Sequence, residues 1–223
     1  EATELGLNKN LAFKGKRFKT VREKSDSVYL TEEELQDIAS LQLDQQPRLE
    51  RVRDLFLVGC YTGLRFSDFS TLKPQSIKNG FIEITQIKTG EPVTIPVHPV
   101  VKRILKKYNN ALPKAISNQK MNDYLKDIGK MTASLQGAVS SSITKGGVKV
   151  SKNLPKWEMI TSHTARRSFA TNEYIAGTPT ITIMAITGHR TEKAFMKYIK
   201  VTPQEHAKLL KQNWNNRQSL KTA

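Results

Sequence analysis

Residues 81–97 carry the clearest period of two in the chain, and this stretch constrains what the remainder can build. Phe81, Glu83 and Thr85 alternate with Ile82 and Ile84; Val93, Ile95 and Val97 alternate again beyond Lys88-Thr89-Gly90. Such alternation sends successive side chains to opposite faces of a strand. A short gap holding a glycine closes two such runs into an antiparallel hairpin, with Lys88 at its tip. A second hairpin is expected over residues 139–150, around Thr144-Lys145-Gly146-Gly147. The rest reads as helix. Thr31-Glu32-Glu33-Glu34 is a capping box, followed by Leu35, Ile38 and Leu41 at helical spacing. Residues 48–60 place Val52, Leu55, Phe56 and Gly59 on one face, and Gly63 ends that region. Further helices are expected over 67–72, 99–109, 119–128, 164–176 and 179–186, the last with Thr178 as cap and Pro179 at its first position. A short helix starts at Thr191, and residues 203–214 form another, opened by the capping box Thr202-Pro203-Gln204-Glu205. The expected fold class is therefore mainly α with a small antiparallel β-sheet (α+β).

The 223 residues suffice for one sizeable domain or two small ones. Residues 29–214 read as the folded domain and 215–223 as a C-terminal tail. Residues 1–28 hold Lys9, Lys14, Lys16, Arg17, Lys19, Arg22 and Lys24 without a period, which fits a basic linker along phosphates or an unstructured tail. Lys and Arg number 36 against 20 Asp and Glu, a net charge of 36 − 20 = +16. A domain that basic usually meets a polyanion, although a merely basic surface has the same composition. The single cysteine, Cys60, excludes an internal disulfide and a zinc cluster and reads as a buried thiol in a reducing cytosol. No apolar run reaches the roughly 18 residues of a membrane span.

Three short segments carry chemistry. Thr62-Gly63-Leu64-Arg65 is followed by Asp68, a carboxylate able to hold the Arg65 guanidinium plane. His163 and Arg166 stand three apart at a helix start, where spacing shares a face and the helix end favours an anion. Thr187-Gly188-His189 precedes Tyr198 by nine positions counted from His189. Each piece alone has an ordinary reading: a surface ion pair, solvated arginines, a capping histidine, a core aromatic, a solvated turn lysine at Lys88. Together they match the needs of metal-free phosphodiester attack, in which phosphate oxygens are neutralised, the nucleophile deprotonated and the leaving oxygen protonated. A free phenol ionises near pH 10, so only about 0.1% is phenolate at neutral pH. A nucleophilic tyrosine therefore needs a base or a strong positive field, and Arg65, Arg166, Lys88 and the histidines would supply both. His98 and His206 lack such company and read as surface residues.

In this order and spacing the segments resemble the catalytic domain of the tyrosine recombinases, the phage-integrase family. Thr-Gly-Leu-Arg65 with Ser67-Asp68 looks like its first arginine box, and His163-Thr-Ala-Arg166 with Ser-Phe-Ala-Thr like its second. Gly188-His189 with Tyr198 looks like the end of its catalytic set, and Lys88 matches its hairpin lysine. The wording of the last two boxes is similar to integrases of bacterial conjugative or mobilisable transposons. Ala165 stands where a leucine is common and Arg167 where a histidine is common; neither is a catalytic position.

The resemblance implies a site-specific DNA recombinase acting through a 3′-phosphotyrosyl intermediate, for integration or excision of a mobile element. Tyr198 would be the nucleophile, Arg65 and Arg166 the clamp on the non-bridging oxygens, Lys88 the general acid and His163 the base. His189 would hydrogen-bond the phosphate, and Asp68 would orient Arg65 from behind. It implies no cofactor and no metal. The partners would be double-stranded DNA, a tetramer on paired sites with possible exchange of the C-terminal helix, and accessory DNA-bending or excision factors, but no membrane; the location would be the bacterial cytoplasm, on DNA. It also implies an N-terminal core-binding domain outside this chain. Two competing readings are DNA relaxation of the type IB topoisomerase kind and a catalytically silent DNA-binding regulator.

Overall fold

The computed structural model describes residues 1–15, 26–145 and 148–219. Lys16, Arg17, Lys19, Arg22 and Lys24 of the expected linker, and Gly146 and Gly147, lie outside the described residues. In chain order the elements are α1 (Glu32–Ser40), α2 (Pro47–Thr62), α3 (Phe66–Phe69), β1 (Ile77–Lys78), β2 (Phe81–Thr85), β3 (Pro92–Pro96), α4 (Pro99–Lys107), α5 (Asn118–Met131), β4 (Ala138–Lys145), β5 (Val148–Pro155), α6 (Ser162–Ile175), α7 (Thr180–Thr187), α8 (Glu192–Phe195) and α9 (Pro203–Ser219). The fold is mixed α+β, mostly helical, with small antiparallel sheets.

The α2 helix is the axis of the domain and packs against α1, α3, α4, α5 and α6. Every residue from Val52 to Cys60 is buried while Pro47, Arg48 and Arg51 are exposed, so α2 enters the core after its first turns and is then covered on all sides, rather than having a single apolar face. Its two buried charges are therefore paired. Arg53 Nε donates to Asp54 Oδ1 at 2.8 Å and Arg53 Nη1 to the Leu41 carbonyl at 2.6 Å. The other Asp54 oxygen receives Lys107 Nζ at 2.6 Å and the Tyr108 hydroxyl at 2.9 Å. Around α2 the core gathers Leu35, Phe56, Phe69, Ile82, Ile95, Met121 and Ile128. A smaller apolar cluster, Phe169, Ala170, Ile183, Phe195 and Ile199, joins α6, α7 and α8, with Tyr198 packed against it.

The sheet order is β1-β2-β3, with Ile82 opposite Ile95 and Ile84 opposite Val93. Ile82, Val93 and Ile95 point inward, as the alternation requires. The strands β4 and β5 form a separate two-stranded ribbon from Ala138↔Pro155 to Lys145↔Val148. It is longer than the sequence pattern suggests, because pairing continues through polar residues that carry no period.

Helix starts follow their caps. The capping box at Thr31 is present in both directions, with Thr31 N donating to Glu34 Oε2 at 2.8 Å and Glu34 N to Thr31 Oγ1 at 3.3 Å. That at Thr202 is also present. Several boundaries depart from the sequence expectation: α3 ends at Phe69 rather than at residue 72, and α5 continues to Met131 rather than ending at 128. Pro179 is the N-cap of α7 rather than its first residue, and the Thr178 hydroxyl instead donates to Glu173 at 2.6 Å. The final helix continues past residue 214 to Ser219, since nothing in Trp-Asn-Asn-Arg-Gln-Ser breaks it. Among the described residues no helix is long and apolar enough to cross a membrane.

Candidate active site

Two helix ends built alike hold the site together. The α2 helix ends on Thr62-Gly63 and α7 on Thr187-Gly188. In each the threonine hydroxyl donates back to the carbonyl four residues earlier, Val58 at 2.7 Å and Ile183 at 2.6 Å. In each the glycine is left-handed, with φ of 66° at Gly63 and 65° at Gly188, a conformation that ends a helix at little cost only without a Cβ. A Cβ would also lie 2.4 Å from the Phe169 ring at Gly63 and 2.4 Å from Gln86 Oε1 at Gly188. The turns then deliver Arg65 and His189 to one place.

Arg166 joins these ends. Its side chain is 1% exposed. Nη1 donates to the Gly63 carbonyl at 2.7 Å, and Nη2 donates to the Thr187 carbonyl. Carbonyls at helix C-termini carry partial negative charge, so two such ends take the place of a counter-ion. Among the described residues no carboxylate lies within 4.0 Å of Arg65, Arg166 or Arg167, and Arg166 Nε is buried without a hydrogen-bond partner. Burial, then the neighbouring Arg65, pull the Arg166 pKa down to about 10, while Tyr198 and Asp68 act in the opposite sense. A buried cation so weakly compensated is a place where an arriving anion is strongly favoured.

His189 sits between Arg166 and Tyr198. Its Nδ1 is 2.8 Å from Thr187 Oγ1 and its Nε2 is 3.5 Å from Arg166 Nη2. Because the Thr187 hydroxyl already donates to Ile183, the consistent assignment has Nδ1–H donating to Thr187 and Nε2 facing the arginine as acceptor. Burial, then Arg166 and Arg65, lower the His189 pKa to about 4, so the ring is neutral at physiological pH. The Tyr198 ring lies 4.6 Å from the His189 ring centroid, 5.6 Å from Arg166 Cζ and 5.9 Å from Arg167 Cζ. Its backbone carbonyl accepts from Thr171 Oγ1 at 3.1 Å, which ties the tyrosine segment to α6. Phe195 and Ile199, both buried, anchor it on either side.

The remaining sequence candidates stand at the rim. His163 is exposed on the first turn of α6, so it and Arg166 do not share a buried face. Enough of its ring is covered for burial to lead the causes that lower its pKa, followed by Arg167, Arg166, Lys88 and Arg65. Lys88 lies exposed in the β2–β3 turn.

Asp68 is buried, but it does not hold Arg65: no ion pair joins the two among the described residues. Its Oδ1 instead accepts the Ile87 amide at 2.9 Å, and its Oδ2 has no hydrogen-bond partner. Asp68 therefore pins the lysine-bearing turn, and Arg65 is held by a residue that sequence reasoning missed. Arg65 Nη1 donates to Gln86 Oε1 at 2.5 Å. The available signal was phase: Gln86 continues the inward series Ile82, Ile84 and is fully buried. Arg167, which reads from the sequence as a departure at a non-catalytic position, flanks the Tyr198 ring. His98 caps α4 through the Val100 amide at 3.3 Å and stacks on Tyr61; His206 meets the Tyr174 ring edge. A cavity of about 340 Å³ lined by Arg48, Arg51, Val52, Leu55, Met121 and Tyr124 lies at the opposite end of α2 and contributes nothing to this cluster.

The sequence model of the phage integrase family matches residues 28–205. Among solved structures, the chain is similar to XerA recombinase, with 18% identity and TM-score 0.60 over 83% of this chain and 65% of that one. It is also similar to a lambda integrase (75–356) dimer bound to a COC′ core site, with 18% identity and TM-score 0.61 over 88% and 67%. A lambda integrase tetramer bound to a Holliday junction gives 17% identity and TM-score 0.60 over 89% and 54%. The chain thus spans two thirds or less of the length of these proteins, and the likeness is one of fold. No curated protein sequence matches it.

Proposed function

The chain belongs to the phage integrase family, and from that premise we propose that it is the catalytic part of a site-specific DNA recombinase using Tyr198 as nucleophile. The observation that carries this reading is the convergence of Arg65, His189 and Tyr198 on the Arg166 guanidinium, which has no carboxylate partner among the described residues.

In the proposed reaction Tyr198 Oη attacks the scissile phosphorus, and the bond from phosphorus to the 5′-oxygen breaks. The phenolic proton passes to His163, whose depressed pKa keeps it neutral and able to accept. The 5′-oxygen takes a proton from Lys88, which is exposed in the β2–β3 turn. Arg65 and Arg166 hold the non-bridging oxygens as charge accumulates, and neutral His189 adds a hydrogen bond once its proton sits on Nε2, the Thr187 hydroxyl then donating to Nδ1 instead of to Ile183. The 3′-phosphotyrosyl link conserves the ester, so a partner strand's 5′-hydroxyl reverses the step and joins the strands. We place the chain on double-stranded DNA as a tetramer on paired sites, with α9 exchanged between subunits and accessory DNA-bending factors assisting. The biological setting we propose is integration or excision of a mobile element of the conjugative or mobilisable transposon kind.

The test is covalent trapping on a nicked suicide substrate bearing the cognate site, with EDTA present. Wild type should give a denaturation-resistant protein–DNA adduct and Tyr198→Phe none. An adduct that persists in Tyr198→Phe moves the nucleophile elsewhere, and no adduct on a verified site favours a silent DNA-binding protein.

A further inference from the structure

The β2–β3 turn, the first arginine and the histidine corner meet at one side chain, that of Gln86. It is fully buried. Its Oε1 accepts from Arg65 Nη1 at 2.5 Å and from the Thr89 hydroxyl at 3.2 Å. Its Nε2 donates to the Ile186 carbonyl at 3.3 Å, near the end of α7. Its backbone closes the turn, with its amide on the Glu91 carbonyl at 2.9 Å and its carbonyl receiving Gly90 N at 2.8 Å. The absent Cβ of Gly188 is what admits it, since that atom would stand 2.4 Å from Oε1. One amide therefore touches the turn that carries Lys88, the arginine at position 65 and the helix end that delivers His189.

We propose that Gln86 is a positioning residue that aims Arg65 at the phosphate and couples that aim to the seating of the Lys88 turn. The proposal rests on the reading of Arg65 as a phosphate clamp. The choice of an amide has a physical reason. An arginine clamp needs a fixed guanidinium plane, and the usual device is a carboxylate. A carboxylate at this place would neutralise the charge the phosphate must meet. An amide oxygen fixes the plane, has two lone pairs for its two donors, and leaves the full positive charge available. The same residue offers a donor to the α7 end, so losing it leaves both the Ile186 carbonyl and an Arg65 donor without a partner.

A double-mutant cycle tests this with Arg65→Ala, Gln86→Leu and the pair together. The readouts are affinity for orthovanadate by titration calorimetry, which needs no turnover, and single-turnover adduct formation at saturating enzyme. Gln86→Leu should slow adduct formation on the order of 10- to 100-fold, as expected for a misplaced clamp, with DNA affinity little changed and the thermal midpoint lowered by a few degrees by the buried groups left without partners. It should weaken vanadate binding in the wild-type background and add nothing once Arg65 is alanine. Gln86→Glu keeps shape and acceptor but adds charge; it should be at least as defective as Gln86→Leu, whereas a packing role alone would make it the milder change. Additive losses in the vanadate cycle, or a Gln86→Leu protein that binds vanadate like wild type, would overturn the proposal. Absence of any adduct with wild type would instead count against the recombinase reading, while the vanadate cycle would still decide the role of Gln86.

Discussion

Arg166 shows how a single residue type sets the chemistry. A planar fork is needed to reach the Gly63 and Thr187 carbonyls together, and an ammonium cannot span both. Arg166→Lys should therefore lower the rate of adduct formation by roughly 100-fold or more, the scale of a lost transition-state donor, while DNA affinity holds; quench-flow on the suicide substrate reads the first and anisotropy the second. His189 makes a second residue-scale prediction. Its pKa near 4 when folded lies below the ordinary value near 6.5 when unfolded. The unfolded chain thus binds more protons between those values, and stability is complete above about pH 6.5 and lost as pH falls toward 4. Solvent screening at a half-buried ring limits the loss to on the order of 1–2 kcal/mol. Urea unfolding at pH 7 and pH 5 should show a smaller difference for His189→Gln than for wild type.

At the scale of elements, the two glycine-ended helices are the parts on which the geometry depends. Gly63→Ala and Gly188→Ala each force a left-handed φ on a residue with a Cβ and drive that atom into a neighbour. Each should cost about 1–3 kcal/mol, read by urea denaturation. Gly188→Ala should in addition impair cleavage, because the atom it strikes is the one that holds Arg65. A further close approach lies one turn back in α2, where a Cβ at Gly59 would stand 3.1 Å from the Ala165 methyl and 2.7 Å from the Phe69 ring. That contact lets α6 come near enough for Arg166 to reach the end of α2. It also gives Ala165, small where a larger side chain is common, a packing reason. The capping boxes at Thr31 and Thr202, the alternation through Ile82 and Ile95, and the turn at Lys88 were legible because each is a local rule with a local cause. The extent of the β4–β5 ribbon was not, since its polar strands lack a period, and neither was the burial of every α2 residue from Val52 to Cys60, which depends on helices that surround it.

For the whole molecule, charge is distributed unevenly in a useful way. The buried charges Asp54 and Arg53 satisfy each other, with the exposed Lys107 reaching in to Asp54, and Glu34 is paired with Lys156 at 2.6 Å. Among the described residues Arg65, Arg166 and Arg167 form no ion pair, although buried Asp68 acts on Arg166 through its charge. With a net charge of +16, log affinity for DNA should fall with log salt at a slope near −0.9 for each phosphate neutralised; a flat response in anisotropy titrations would mean the charge is not used on DNA.

What the sequence by itself determined is the inventory: helices and their caps, the antiparallel hairpin, and the identities of Arg65, Lys88, His163, Arg166, His189 and Tyr198 in family order. These follow from neighbours a few residues apart, whose geometry is dictated by backbone conformation and side-chain period. Only the tertiary structure decided that Arg166 is buried between two helix ends, that Asp68 serves the turn rather than Arg65, and that Gln86 takes its place. Those outcomes depend on contacts such as Arg166 to Gly63 and Gln86 to Ile186, between residues about 100 positions apart. Packing, not local pattern, selects such partners, because any buried donor must find whichever acceptor the assembled core brings to it.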